Sequence, residues 1–95
     1  MTIRRHLVVT GRVQGVGYRD ALCAQAERHA VTGWVRNRSD GSVEALLQGS
    51  EADVAAVTAW ARQGPRLARV AEVREGSPPE PWNRSYSRFE RWPTA

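Results

Sequence analysis

Three of the chain's eight glycines, Gly11, Gly15 and Gly17, fall within seven residues, between a run of β-formers and an alanine-rich segment. Before them, Ile3, Leu7, Val9 and Val13 alternate as in a strand with one buried face. After them, Leu22, Cys23, Ala26 and Ala30 share one side of a helix drawn from about Arg19 to Ala30. The glycines therefore belong to a strand-to-helix turn, where they tolerate positive φ and let the backbone approach a ligand closely. Such a turn gathers N–H groups that the helix cannot pair, and together these make a seat for an oxyanion. Arg19 falls in the first helical turn, where a cation is unfavourable by about 0.3–1 kcal/mol against the helix dipole. A phosphate between the guanidinium and the backbone donors would explain that placement. The alternative is a purely structural turn, because Gly-x-x-x-Gly-x-Gly matches neither the Walker loop nor the dinucleotide-binding Gly-x-Gly-x-x-Gly.

The remaining segments complete a short list of elements. Thr32–Arg38 and Ser42–Gln48 read as strands joined through Ser39-Asp40-Gly41, and Asp-Gly between two such runs signals a hairpin. Ser50 with Asp53 three residues on forms a capping box, opening a helix that carries Val54, Val57 and Ala61 and closes at Gly64-Pro65. A strand from about Ala68 to Glu75 follows, then a loop at Ser77-Pro-Pro-Glu-Pro81. Ser85–Trp92 alternates Tyr86, Arg88, Glu90 and Trp92 against Ser87, Phe89 and Arg91, as a final strand would. The order β-α-β-β-α-β with an extra terminal strand defines an α+β, ferredoxin-like split βαβ fold, an antiparallel sheet with two helices on one face. One domain over residues 1–95 accommodates every segment. Fold alone leaves function open.

Composition narrows the classes. Ninety-five residues, 41% hydrophobic and 25% charged, suit one soluble globular core. No apolar run approaches the roughly 20 residues that span a bilayer. Leu7-Val8-Val9 is too short for a signal peptide, so a cytoplasmic protein without membrane attachment is expected. Cys23 is the sole cysteine, which excludes an intrachain disulfide and a cysteine-based metal cluster. It reads as a small buried hydrophobe. All fourteen basic residues are arginine and the net charge is +4, which favours anionic partners. Their scatter among acids, as in Arg88-Phe-Glu-Arg91, describes a solvated surface rather than a nucleic-acid stripe. Trp34 is expected to pack in the core or on the sheet rather than to stack a base.

The usual catalytic residues are unpromising. His6 lies in the first strand and His29 near the end of the first helix, where it suits the helix dipole. No carboxylate pair has the spacing for acid–base work, Asp20 and Glu27 read as helix-surface charges, and no metal-ligand spacing occurs. Asn37 admits two roles: helping to start the Asp-Gly hairpin, or orienting a water through its amide.

Val13-Gln-Gly-Val-Gly-Tyr-Arg19, followed by Gly33-Trp-Val-Arg-Asn37 and Asp40-Gly-Ser-Val43, resembles the acylphosphatases over nearly the whole chain. The resemblance implies a ferredoxin-like fold and hydrolysis of the carboxyl–phosphate anhydride of acyl phosphates, with neither metal nor cofactor. It further implies that Gln14, Gly15, Val16, Gly17, Tyr18 and Arg19 cradle the phosphoryl group, that Arg19 binds it, and that Asn37 positions the attacking water. Tyr18 stands where that family's loop has Phe, a change that keeps a packing role. The expected partners are a small acyl phosphate and inorganic phosphate, the latter as product and competitive inhibitor, with no nucleic acid. Nothing in the sequence asks for more than a monomer. The chemistry is consistent, since a carboxylate leaves readily and phosphoryl transfer depends mainly on positioning and charge stabilisation. The alternative is a non-catalytic ferredoxin-like module that binds phosphate, nucleic acid or protein.

Overall fold

The opening alternation becomes a long strand, β1 (Thr2–Arg12), in the computed structural model, which describes residues 1–95. Then follow α1 (Tyr18–Arg28), β2 (Thr32–Asn37), β3 (Val43–Ser50), α2 (Glu51–Gln63), β4 (Arg69–Gly76) and β5 (Phe89–Arg91). One 3₁₀ turn, Glu80–Trp82, interrupts the proline-rich loop. The sheet order is β4-β1-β3-β2-β5. Four strands are antiparallel, with β1 between β3 and β4 and β2 against β3. β5 instead runs parallel to β2, so the sheet is mixed. β4 finishes at the same end of the strands where β2 starts but at the opposite edge of the sheet, and the connection crosses at that end before β5 enters beside β2. The register of β1 on β4 shifts between Thr10 and Gly11, so Gly11 serves a bulge in the sheet rather than the turn that follows.

Local chemistry fixes the helix ends. Ser50 Oγ accepts the Asp53 N–H at 3.1 Å and donates to Asp53 Oδ2 at 2.9 Å, which caps α2 as its sequence signals. α1 stops at Arg28, and His29 caps it with its own N–H on Gln25 O. Ala30 therefore lies beyond the helix, exposed at φ 56°, and Val31 takes the buried position in its place.

Both helices pack on one face of the sheet. Leu22 and Ala26 of α1 and Val54, Val57 and Ala61 of α2 meet Leu7, Val9, Val35, Val43, Ala45 and Leu47 from the strands. Burying each Val or Leu contributes roughly 1.5–3 kcal/mol, and this layer is the main core. Cys23 is half-buried against it, and burial together with the Asp20 and Glu27 charges pushes its thiol pKa up. It stays a packing residue.

The opposite face is also covered. Trp34 is fully buried there, stacked on Trp92 at 4.4 Å between ring centroids and edge-on to Trp82 at 5.3 Å. Its Nε1 donates to the Tyr86 hydroxyl at 3.2 Å, and that hydroxyl donates to Trp82 O at 2.8 Å. Beside this cluster the Glu44 carboxylate meets His6 Nε2 at 2.7 Å and Arg36 Nε at 2.8 Å. Burial alone would raise the pKa of Glu44, but the His6 and Arg36 contacts outweigh it and hold the carboxyl below its ordinary range. β5 is shorter than the alternation predicts because Gln48 captures Tyr86 instead. The Gln48 side chain donates to Tyr86 O at 3.0 Å and accepts its N–H at 3.3 Å.

Candidate active site

The turn between β1 and α1 is pinned at both ends. Val13 is buried at its start, and Tyr18 is buried at its end with its ring 5.5 Å from that of Trp60. The Tyr18 hydroxyl donates to Ala61 O at 2.8 Å, and burial pushes the phenol pKa well above its usual value. Between these anchors Gly15 and Gly17 take φ of 75° and 78°. A Cβ on either would meet nothing within 4 Å, so glycine is demanded by conformation and not by space. Gly17 opens α1 without any side-chain cap. The first N–H to find a protein acceptor is that of Ala21, on Gly17 O at 3.1 Å, which leaves those from Gly15 to Asp20 unpaired. They form a nest of donors at the positive end of a helix.

The same turn is tied to the end of β2. Gln14 Nε2 donates to Arg38 O and to Ser42 O, both at 2.8 Å, so this side chain grips the β2–β3 hairpin rather than the cavity. Val16 is half-buried against the core and also stands off the cavity wall. Gly15, Gly17 and Tyr18 form one side of a cavity of about 190 Å³, and Arg19 and Asn37 share it. Arg19 is half-buried and forms no ion pair with any carboxylate of the chain.

The hairpin turn does not use the Asn37 side chain, although the Asn37 backbone pairs with Val43. Asp40 Oδ1 accepts the Ser42 N–H at 2.9 Å and its hydroxyl at 2.6 Å, contacts that hold the Asp40 carboxyl below its ordinary pKa and fix the turn. Asn37 Oδ1, at the end of β2, is buried with no hydrogen-bond partner, and no other buried side-chain oxygen or nitrogen in the chain is left so. Val13 and two residues that sequence reasoning missed complete the walls. Asp20 lines the cavity, and Arg91 of β5 reaches it, donating from Nη1 to Asp20 Oδ1 at 2.7 Å. The signal for Arg91 was present, since it alternates onto the same side as the core-packed Phe89. His6 and His29 lie away from the cavity, and no three His, Cys, Asp or Glu side chains gather as a metal-ligand set.

The acylphosphatase family profile matches residues 5–90, a span that contains the turn, Arg19 and Asn37. The chain belongs to the acylphosphatase family. It is 57% identical over 68 residues to an acylphosphatase of Thiobacillus denitrificans, covering 72% of this chain and 76% of the relative. With acylphosphatase 1 of Ralstonia nicotianae it shares 46% over 92 residues, covering 97% of this chain and 89% of the relative. Among solved structures, an acylphosphatase from Coxiella burnetii superposes with a TM-score of 0.88 at 33% identity, covering 96% of this chain and 93% of that one. An acylphosphatase hydrolase activity goes with that membership.

Proposed function

We propose that the chain cleaves the carboxyl–phosphate anhydride of small acyl phosphates, with the turn and Arg19 gripping the phosphoryl group and Asn37 orienting the attacking water. The backbone donors from Gly15 to Asp20 and the unpaired Arg19 fork together offer a phosphoryl group charge-assisted hydrogen bonds. Water attacks phosphorus in line, the bond from phosphorus to the acyl oxygen breaks, and a carboxylate leaves with that electron pair. The water's proton is released as inorganic phosphate forms. Because the leaving carboxylate is a weak base, the step needs no strong general acid, and stabilising charge on the phosphoryl oxygens supplies most of the catalysis.

The observation that carries this reading is the unpartnered Asn37 Oδ1. A buried acceptor left unsatisfied costs about 1–3 kcal/mol, and Asn37 is one of the residues that line the cavity beside Arg19 and the glycine turn. A water donating to this oxygen keeps a lone pair free for phosphorus. Gln14 contributes by holding the turn against the strand that carries Asn37. The reading includes a single domain over residues 1–95, acting in the cytoplasm as a monomer, without nucleic-acid partners or a metal requirement. The test is hydrolysis of benzoyl phosphate with EDTA present. Turnover should be undiminished by EDTA and inhibited competitively by inorganic phosphate, with glycerol phosphate a poor substrate because its alkoxide needs an acid. A strict metal requirement, or equal turnover of the two substrates, contradicts it.

A further inference from the structure

We infer that Arg91 selects the acyl half of the substrate, favouring acyl groups that carry a second carboxylate; this rests on the hydrolysis proposed above. Arg91 stands on β5 opposite Val35 of β2, two residues before Asn37, and reaches the cavity that holds Arg19. The phosphoryl group already has one free guanidinium and the donors of the turn. A second guanidinium in the same cavity is therefore available to another part of the substrate. Arg91 spends one N–H on Asp20, and its fork carries five, so donors remain for an incoming group.

The partner that Arg91 holds in this structure is a carboxylate, which is the chemistry its position accepts. The Arg91 side chain is 50% exposed and that of Asp20 74%, and an ion pair so exposed is weak and yields readily to a competitor. Asp20 acts as a place-holder: it keeps Arg91 beside the cavity until the distal carboxylate of a bound acyl group takes up the fork. At about 190 Å³ the cavity is smaller than the roughly 300–1,000 Å³ of drug-sized sites, which suits a phosphoryl group with a short chain.

The experiment compares adipoyl phosphate with hexanoyl phosphate, acyl chains of equal length that end in a carboxylate and a methyl group. The readout is the ratio of their kcat/KM values, after subtraction of spontaneous hydrolysis, in the unaltered chain, Arg91→Gln and Asp20→Asn. The unaltered chain should favour adipoyl phosphate by about fivefold, a modest factor because the contact is half-exposed. Arg91→Gln should bring the ratio close to one, and Asp20→Asn should raise it by lowering KM for adipoyl phosphate. If Arg91 merely cancels the Asp20 charge beside the phosphate, Arg91→Gln lowers kcat/KM for both substrates by the same factor. That result, or a ratio of one in the unaltered chain, overturns the inference. Failure of the unaltered chain to hydrolyse either compound overturns the hydrolysis itself, and the selection with it.

Discussion

Arg19 is held half-buried on the first turn of α1, with no carboxylate to answer its charge. A cation there opposes the helix dipole, and the phosphoryl dianion of the proposed substrate would resolve the conflict by accepting from the fork and the backbone together. Lysine would keep the charge but lose the planar pair of donors. Arg19→Lys should therefore fold normally and lose about 100-fold or more in kcat/KM for benzoyl phosphate, the scale of removing a transition-state donor. Near-normal turnover would show that charge alone suffices. Arg19 and Asn37 were legible in the sequence because short motifs fix their positions at a turn and at a strand end. Gln14 was legible only as a neighbour, since its two bonds to the hairpin join residues far apart in the chain. Asp20 reads in sequence as an ordinary first-turn acid, and only the arrival of Arg91 on β5 gives it a partner.

Among the elements, α2 supports the turn through its C-terminal end. Gly64 ends α2 at φ 70° and ψ −177°, a conformation open to glycine almost alone. A Cβ there would sit 3.0 Å from Tyr18 Cε2 and 3.1 Å from Ala68 Cβ. Gly64→Ala should thus cost about 1–3 kcal/mol, lowering Tm by about 5–15 °C. Because Tyr18 is displaced with it, kcat/KM should fall as well; an unchanged Tm would show that the helix end relaxes freely. The order of elements and the hairpin could be read from periodicity and turn residues, which are local. The outer face of the sheet could not. Arg4, His6, Arg36 and Glu44 alternate as a solvated surface would, but Arg36 and Glu44 lie beneath the Trp82–Trp92 segment. The same segment shortens β5 and delivers it parallel to β2, outcomes set by contacts with Trp34 and Gln48 across some 40 to 50 residues of sequence.

For the molecule as a whole, the sheet brings together two groups that the chain keeps apart: unpaired N–H donors on the β1–α1 turn and an unpaired acceptor at the end of β2. On the proposed mechanism the first group binds the phosphoryl group and the second orients water, so the two functions should separate on mutation. Asn37→Ala leaves Arg19, the backbone donors and the Asp40–Ser42 turn in place. Its Tm, its Kd for inorganic phosphate and its kcat for benzoyl phosphate, measured on one preparation, test the division of labour directly. Tm and Kd should stay nearly unchanged while kcat falls about 100-fold or more, the scale expected for a group that acts in the transition state. A folded Asn37→Ala variant with near-normal kcat, or one that loses phosphate affinity in step with kcat, would contradict the water-orienting role.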